Sequence, residues 1–151
     1  MVASSDEAFM RRCLELAEEA ARADEVPVGA VVVVEGRILG EGRNRCVERS
    51  SPLAHAEIEA LEAALAATGD ARLPGAELFC SLEPCFMCTG ALLHARVARI
   101  VFATRDPKFG ACGSLATLPS DRRLNHRCPV EEGLLAEESA VLLQSFFRRL
   151  R

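Results

Sequence analysis

Nowhere does this sequence hold the ~18 uninterrupted apolar residues that a membrane-spanning helix needs. Its first residues, Met1-Val2-Ala3-Ser4-Ser5-Asp6-Glu7, have neither the basic start nor the apolar core of a secretory signal. The expected location is therefore cytoplasmic, with no membrane partner. Internal repeats, linkers and low-complexity stretches are also missing. The 151 residues therefore predict one domain, residues 1–151, able to bury roughly two-thirds of its unfolded surface. An even cysteine framework is absent too. The chain has seven cysteines, an odd number with one close pair, which excludes a simple disulfide scaffold and makes that pair a metal or redox candidate. Finally, there is no excess of positive charge: the formal net charge is −4.

The distribution of charge is more informative than its sum. Residues 1–100 carry ten Lys/Arg against sixteen Asp/Glu, whereas residues 101–151 carry eight against six. Arg105/Lys108, Arg122/Arg123/Arg127 and Arg148/Arg149/Arg151 cluster in that basic third. A local basic patch of this kind can bind phosphates whatever the global sign, although charge runs are more often a solvated face.

Periodicity supplies the elements. Ser4 and Glu7 have the spacing of a capping box, and Phe9, Cys13, Leu14, Leu16, Ala17 and Ala20 recur at helical spacing to about Asp24. Ala30-Val31-Val32-Val33-Val34 is too continuous for a one-sided strand and predicts a buried one. A turn at Glu35-Gly36-Arg37 leads to a strand from Ile38 to Cys46. A second helix is predicted over 54–67, a strand over 77–82, and a third helix from Pro84, at its first position, to about Ala95. A strand over 99–104, a long loop over 105–127, a short strand near 129–131 and a helix over 135–150 complete the chain. The order α-β-β-α-β-α-β-(β)-α predicts a three-layer α/β/α fold on a mixed five-stranded sheet flanked by helices.

Two short motifs carry chemistry. Cys85 and Cys88, in Pro84-Cys85-Phe86-Met87-Cys88, lie one turn apart on one face of a helix start, where the helix field favours thiolates. That spacing suits two corners of a zinc tetrahedron. His55, in His55-Ala56-Glu57 at the second helix start, can supply a third ligand. Three ligands leave a position for water, and zinc lowers the pKa of such a water from ~16 towards ~7. Glu57, two residues from His55, is then the proton acceptor. Taken alone, each motif has a plainer reading: a redox pair or zinc knuckle for the cysteines, a cap for the histidine. Together and in this order they match the H-x-E…P-C-x-x-C signature of zinc deaminases.

Beyond these motifs the chain resembles the bacterial tRNA-specific adenosine deaminases, within the cytidine/deoxycytidylate deaminase superfamily. The similarity runs through Glu25-Val26-Pro27-Val28-Gly29-Ala30, Gly40-Glu41-Gly42-Arg43-Asn44-Arg45, Arg105-Asp106-Pro107-Lys108-Phe109-Gly110-Ala111, Asn125-His126-Arg127 and Phe146-Phe147-Arg148. The resemblance implies a cytidine-deaminase-like fold, one zinc ion per subunit, a homodimer, and a tRNA anticodon stem-loop as substrate, with adenosine converted to inosine at the wobble position. By the same resemblance His55, Cys85 and Cys88 hold zinc and Glu57 shuttles protons. Asn44 bonds the purine, with Val28, Ala56 and Pro84 against it. Asp106 and Lys108 hold the flanking ribose-phosphate, while Phe147 stacks on a base and Arg148 contacts phosphate. For Asn44 the plainer reading is a strand-end turn, and for Val28 core packing. One of Phe146 and Phe147 is expected in the core. The sequence departs from the family pattern at Leu53, Phe109 and Ser145. Two alternatives stay open: a free nucleobase or nucleoside deaminase of guanine or cytosine type, and a non-catalytic zinc module, which Glu57 argues against. The remaining cysteines are expected to be small buried hydrophobes.

Overall fold

The computed structural model describes residues 4–150 and orders them as α1 (Ser4–Arg22), β1 (Gly29–Val34), β2 (Arg37–Arg43), α2 (Ala56–Thr68), β3 (Glu77–Leu82), α3 (Phe86–His94), β4 (Arg99–Thr104), a 3-10 turn (Leu118–Ser120), β5 (Val130–Glu132) and α4 (Ala136–Arg149). The valine run behaves as its composition demands. Successive side chains of a strand point to opposite faces, and both faces of β1 are covered. Ala30 and Val32 pack with Leu78, Cys80, Ile100 and Phe102 in the core beneath α2 and α3. Val31 and Val33 pack with Phe79, Val101 and Ala103 against Met10, Cys13 and Leu16 of α1. Each of these valines is fully buried, a burial that contributes roughly 1.5–3 kcal/mol per side chain.

The strands lie in the order β2-β1-β3-β4-β5. β1 runs antiparallel to β2 and β3, and β3, β4 and β5 run parallel. The sheet is thus mixed and five-stranded, as predicted. α1 and α4 touch each other and β3, while α2 touches α3 on the other side. The hairpin between β1 and β2 turns through Glu35 and Gly36, both at positive φ, the backbone that matches the twist of its flanking strands.

Contact between α2 and β2 is unusually close because β2 presents glycines. A Cβ on Gly42 would collide with the carbonyl oxygen of Ala56 and the amide of Ala60, and one on Gly40 with the carbonyl of Ala60 and the amide of Ala64. The first turn of α2, which carries His55 and Glu57, is seated directly on the strand backbone.

Several predicted boundaries move, each for a local reason. β2 ends at Arg43 rather than Cys46, because the Asn44 side chain accepts from the Cys46 amide at 3.1 Å and turns the chain. α2 starts at Ala56 rather than Ala54, with His55 still extended at ψ 154°. α3 starts at Phe86 rather than Pro84. The Pro84 carbonyl accepts instead from the Ala111 amide at 3.0 Å, and Cys85 takes the capping position. The helix expected from Ser4 does start there, while the capping box rests on the Ser4 side chain, which lies outside what the structure describes. Of the five cysteines expected to be buried, Cys13, Cys80, Cys112 and Cys128 are, and Cys46 is only half-buried.

Candidate active site

The starts of α2 and α3 face each other, and the residues flanking them are the ones the sequence singles out. His55 caps α2 with its backbone, but its imidazole makes no capping hydrogen bond. Nδ1 lies instead 3.6 Å from Cys85 Sγ and 3.4 Å from Cys88 Sγ. Cys85 caps α3, and its sulfur accepts from the Cys88 amide at 3.5 Å. Among the described residues these three are the group of His, Cys, Asp or Glu ligands that gathers tightly enough for a metal, all ligand atoms lying within 4.8 Å of one another. In a zinc tetrahedron with Zn–S of about 2.3 Å and Zn–N of about 2.0 Å, a nitrogen and a sulfur corner stand about 3.5 Å apart. The observed separations fit that edge, and two thiols with an imidazole are a donor set zinc prefers. The hydrogen bond with Cys88 and the neighbouring imidazole hold the Cys85 thiol below its ordinary range, and the adjoining Cys85 sulfur and burial push Cys88 up.

Glu57 stands beside this triad without belonging to it. Its side chain is buried, and burial pushes its carboxyl up to about 7, against the opposing pull of its own helix-start N–H and of His55. An acid with that affinity is matched to accepting and returning protons near neutral pH.

His55, Cys85 and Glu57 line an open cavity of about 770 Å³. Val28, Asn44 and Ala56 line it, as do Asp106, Lys108 and Phe147. Asn44 caps its own turn through Oδ1, the plainer of its two readings, and also lines the cavity. Because the Cys46 amide can only donate, the carboxamide oxygen faces the turn and the amide nitrogen remains a donor. Cys88 sits behind the wall, and Pro84 is buried off it. Arg148 is exposed outside the cavity. Of the adjacent phenylalanines, Phe146 is the core residue, and Phe147 is 46% exposed with its ring edge-on to Phe146 at 5.5 Å.

Three residues escaped the sequence reading, of which Phe86 and Glu83 line the cavity and Glu25 lies outside its lining. Phe86, 46% exposed, lines the cavity beside Phe109, 65% exposed. Among the described residues, every exposed phenylalanine ring belongs to this cavity. Glu25 and Glu83 are the others. Each is a buried carboxylate that receives backbone amides: Val47 and Glu48 on Glu25 at 3.0 and 2.7 Å, Asp106, Cys112 and Ser114 on Glu83 at 2.9–3.0 Å. The available signal was an acid within an otherwise apolar junction, as in Leu82-Glu83-Pro84.

Several arginines are engaged, among them Arg105 on the cavity wall. Arg43 and Arg45 pair with Glu48, Arg49 with Glu59, and Arg105 with Glu132. Lys108, the chain's only lysine, has no carboxylate within salt-bridge distance among the described residues, so its charge remains available to a ligand.

A His-Cys-Cys triad joining two helix starts over a mixed sheet, with a buried carboxylate alongside, defines a zinc-dependent hydrolytic enzyme. The chain belongs to the deaminase family described as "Cytidine and deoxycytidylate deaminase zinc-binding region", whose profile matches residues 3–104. Relatives extend the match further. The tRNA-specific adenosine deaminase of Haemophilus influenzae is 46% identical over 97% of this chain and 85% of its own length. That of Bacillus subtilis is 40% identical over 98% and 92%. A structure solved in a study of A-to-I editing by tRNA:A34 deaminases at the wobble position superposes with a TM-score of 0.87 at 42% identity, covering 90% of this chain and 99% of that one. The guanine deaminase of Nitrosomonas europaea gives 0.78 at 32% identity, covering 97% and 85%.

Proposed function

We propose that this protein converts adenosine to inosine by hydrolysis at the wobble position of a tRNA anticodon loop, as one deaminase domain spanning residues 1–151. What carries this reading is the likeness to tRNA-specific relatives over nearly the whole chain. It includes the segment after residue 104, beyond the family profile, where the wall bearing Asp106, Lys108 and Phe147 lies. The cavity supports the same substrate. It is open to solvent, and apolar beside Val28 and Ala56. Its rim carries exposed rings and a cation, the combination that binds unstacked bases and their phosphates.

The reaction consumes one water: its oxygen bonds to C6 of the purine, the C6–N6 bond breaks, and ammonia leaves. Zinc, when held by His55, Cys85 and Cys88, supplies the acidification that makes water a nucleophile near neutral pH. Glu57 takes a proton from the attacking water and delivers it to N1, then carries the second to the departing N6 amine. The Asn44 amide donates to the purine and fixes which edge meets Glu57. Val28 and Ala56 press on its face and exclude bulk water. Lys108 holds a flanking phosphate on the loop that Asp106 shapes, and Phe147 stacks on a neighbouring base, with Arg148 reaching phosphate further out. The enzyme acts as a homodimer in the cytoplasm, where its RNA is found.

The test is a deamination assay with zinc-loaded protein on an anticodon stem-loop with adenosine at the wobble position, beside free adenosine, guanine and cytidine. Inosine formed in the stem-loop alone is the expected result. Turnover of guanine alone would instead place the chain with the guanine deaminase it also resembles in fold.

A further inference from the structure

The wall that carries Lys108 is pinned by hydrogen bonds: Asp106, Cys112 and Ser114 all bond one buried acid, and Asp106 in turn holds Lys108 and Phe109. Glu83 Oε1 accepts from the Asp106 amide at 3.0 Å and from the Ser114 hydroxyl. Oε2 accepts from the amides of Cys112 at 3.0 Å and Ser114 at 2.9 Å. The loop closes tightly over this carboxylate, since a Cβ on Gly110 would strike it. The Asp106 side chain then relays the order outward: its Oδ1 accepts from the amides of Lys108 at 3.0 Å and Phe109 at 3.2 Å. Two residues along from Glu83, Cys85 enters the triad. One side chain therefore connects the substrate wall to the segment that delivers a metal ligand.

We infer that Glu83 is a positioning residue: its carboxylate sets the Asp106–Phe109 turn, and with it the Lys108 ammonium, at the height where the RNA backbone must pass. The inference rests on the RNA reading of the site. An ionised carboxylate only accepts hydrogen bonds and can satisfy four donors at once. The isosteric Glu83→Gln keeps one accepting oxygen and turns the other position into a donor. Its NH2 settles on the Oε1 side, where the Ser114 hydroxyl can rotate to accept and only the Asp106 amide is left opposed. The anchor lost is the one that opens the substrate wall, while residues 112–114 stay held.

The experiment is a double-mutant cycle on stem-loop RNA with zinc-loaded full-length protein, using Glu83→Gln, Lys108→Ala and the pair. Glu83→Gln raises the RNA concentration for half-maximal single-turnover rate roughly tenfold, leaves the rate at saturation within about threefold, and keeps one zinc per chain. Lys108→Ala weakens binding in the wild-type background and adds little to Glu83→Gln, because the ammonium is already misplaced. Equal losses from Lys108→Ala in both backgrounds would overturn the inference, as would a fall confined to the saturating rate. A measurement that needs no variant is amide hydrogen exchange of the wild type. A protected Asp106 amide is required, and exchange at the rate of a free loop overturns the clamp. A wild type inert on the stem-loop would sink the RNA reading instead, and the clamp would then be decided by that amide alone.

Discussion

Two alanines placed at glycines should move the stability of this protein in opposite directions. At Gly42 an added methyl meets the Ala56 carbonyl and the Ala60 amide. These are backbone atoms within α2 and cannot swing aside, so the first turn of the helix must lift off β2. Overpacking of this kind costs about 1–3 kcal/mol. For a chain of this size a kilocalorie shifts Tm by about 3 °C, giving a fall of roughly 3–9 °C. At Gly90, inside α3, the same methyl meets nothing within 4 Å, and only the helix-propensity gain of about 0.5–1 kcal/mol remains. Scanning calorimetry of zinc-loaded Gly42→Ala and Gly90→Ala reads both shifts. The first also displaces His55 and Glu57, so competition with a chelator should show weakened zinc retention in Gly42→Ala and none in Gly90→Ala. A Gly42→Ala protein as stable and as metal-retentive as the wild type would refute the claim that α2 is seated on bare backbone.

Glu57→Gln preserves shape and should retain zinc and RNA binding while losing turnover by about 10²–10⁴-fold; a variant of near-normal rate removes Glu57 from the proton path. Cys88→Ala takes away one of three ligands, and elemental analysis should find the metal gone. Lys108→Ala should lower the slope of log affinity against log salt by about 0.7–0.9, and an unchanged slope means that Lys108 touches no phosphate. Arg12 joins α1 to β2 through Glu41 at 2.7 and 2.9 Å, and that hydrogen-bonded pairing holds the Glu41 carboxyl below its ordinary range. Its stabilisation is present above the unfolded carboxyl's pKa and is lost as pH falls through the lowered folded one. The stability gap between wild type and Arg12→Ala should therefore be open at pH 7 and close in acid, as denaturant titrations at several pH values will show.

What could be read from the sequence was what depends on neighbours along the chain. The span Arg99–Thr104 matches its prediction because Ile100, Val101 and Phe102 leave no periodicity but that of a buried strand. Gly69 ends α2 in the left-handed conformation, as the turn residues at Thr68-Gly69-Asp70 demand. The His55, Cys85 and Cys88 constellation was legible because metal ligands are few in kind and their spacing is constrained. Illegible features depend on partners far away in sequence. Gly40 and Gly42 look like weak strand positions until α2 is laid on them. Glu25 and Glu83 look like surface acids until amides 22 to 31 residues further on are found facing them. The start of α3 was misplaced because Pro84 suits a first helical turn in general, and here its carbonyl is taken by Ala111.

The scarcity of lysine has a practical consequence. Apart from the chain's α-amino group, Lys108 is the only amine on the molecule, and it stands on the cavity wall. Reagents that decorate most proteins at many points, such as active esters, aldehydes and amine-coupling supports, will find one side chain here, and it lies at the mouth. Attaching this protein to a surface by routine lysine chemistry would stopper it, whereas a substrate analogue with an aldehyde in place of a flanking phosphate would have one side-chain amine to meet.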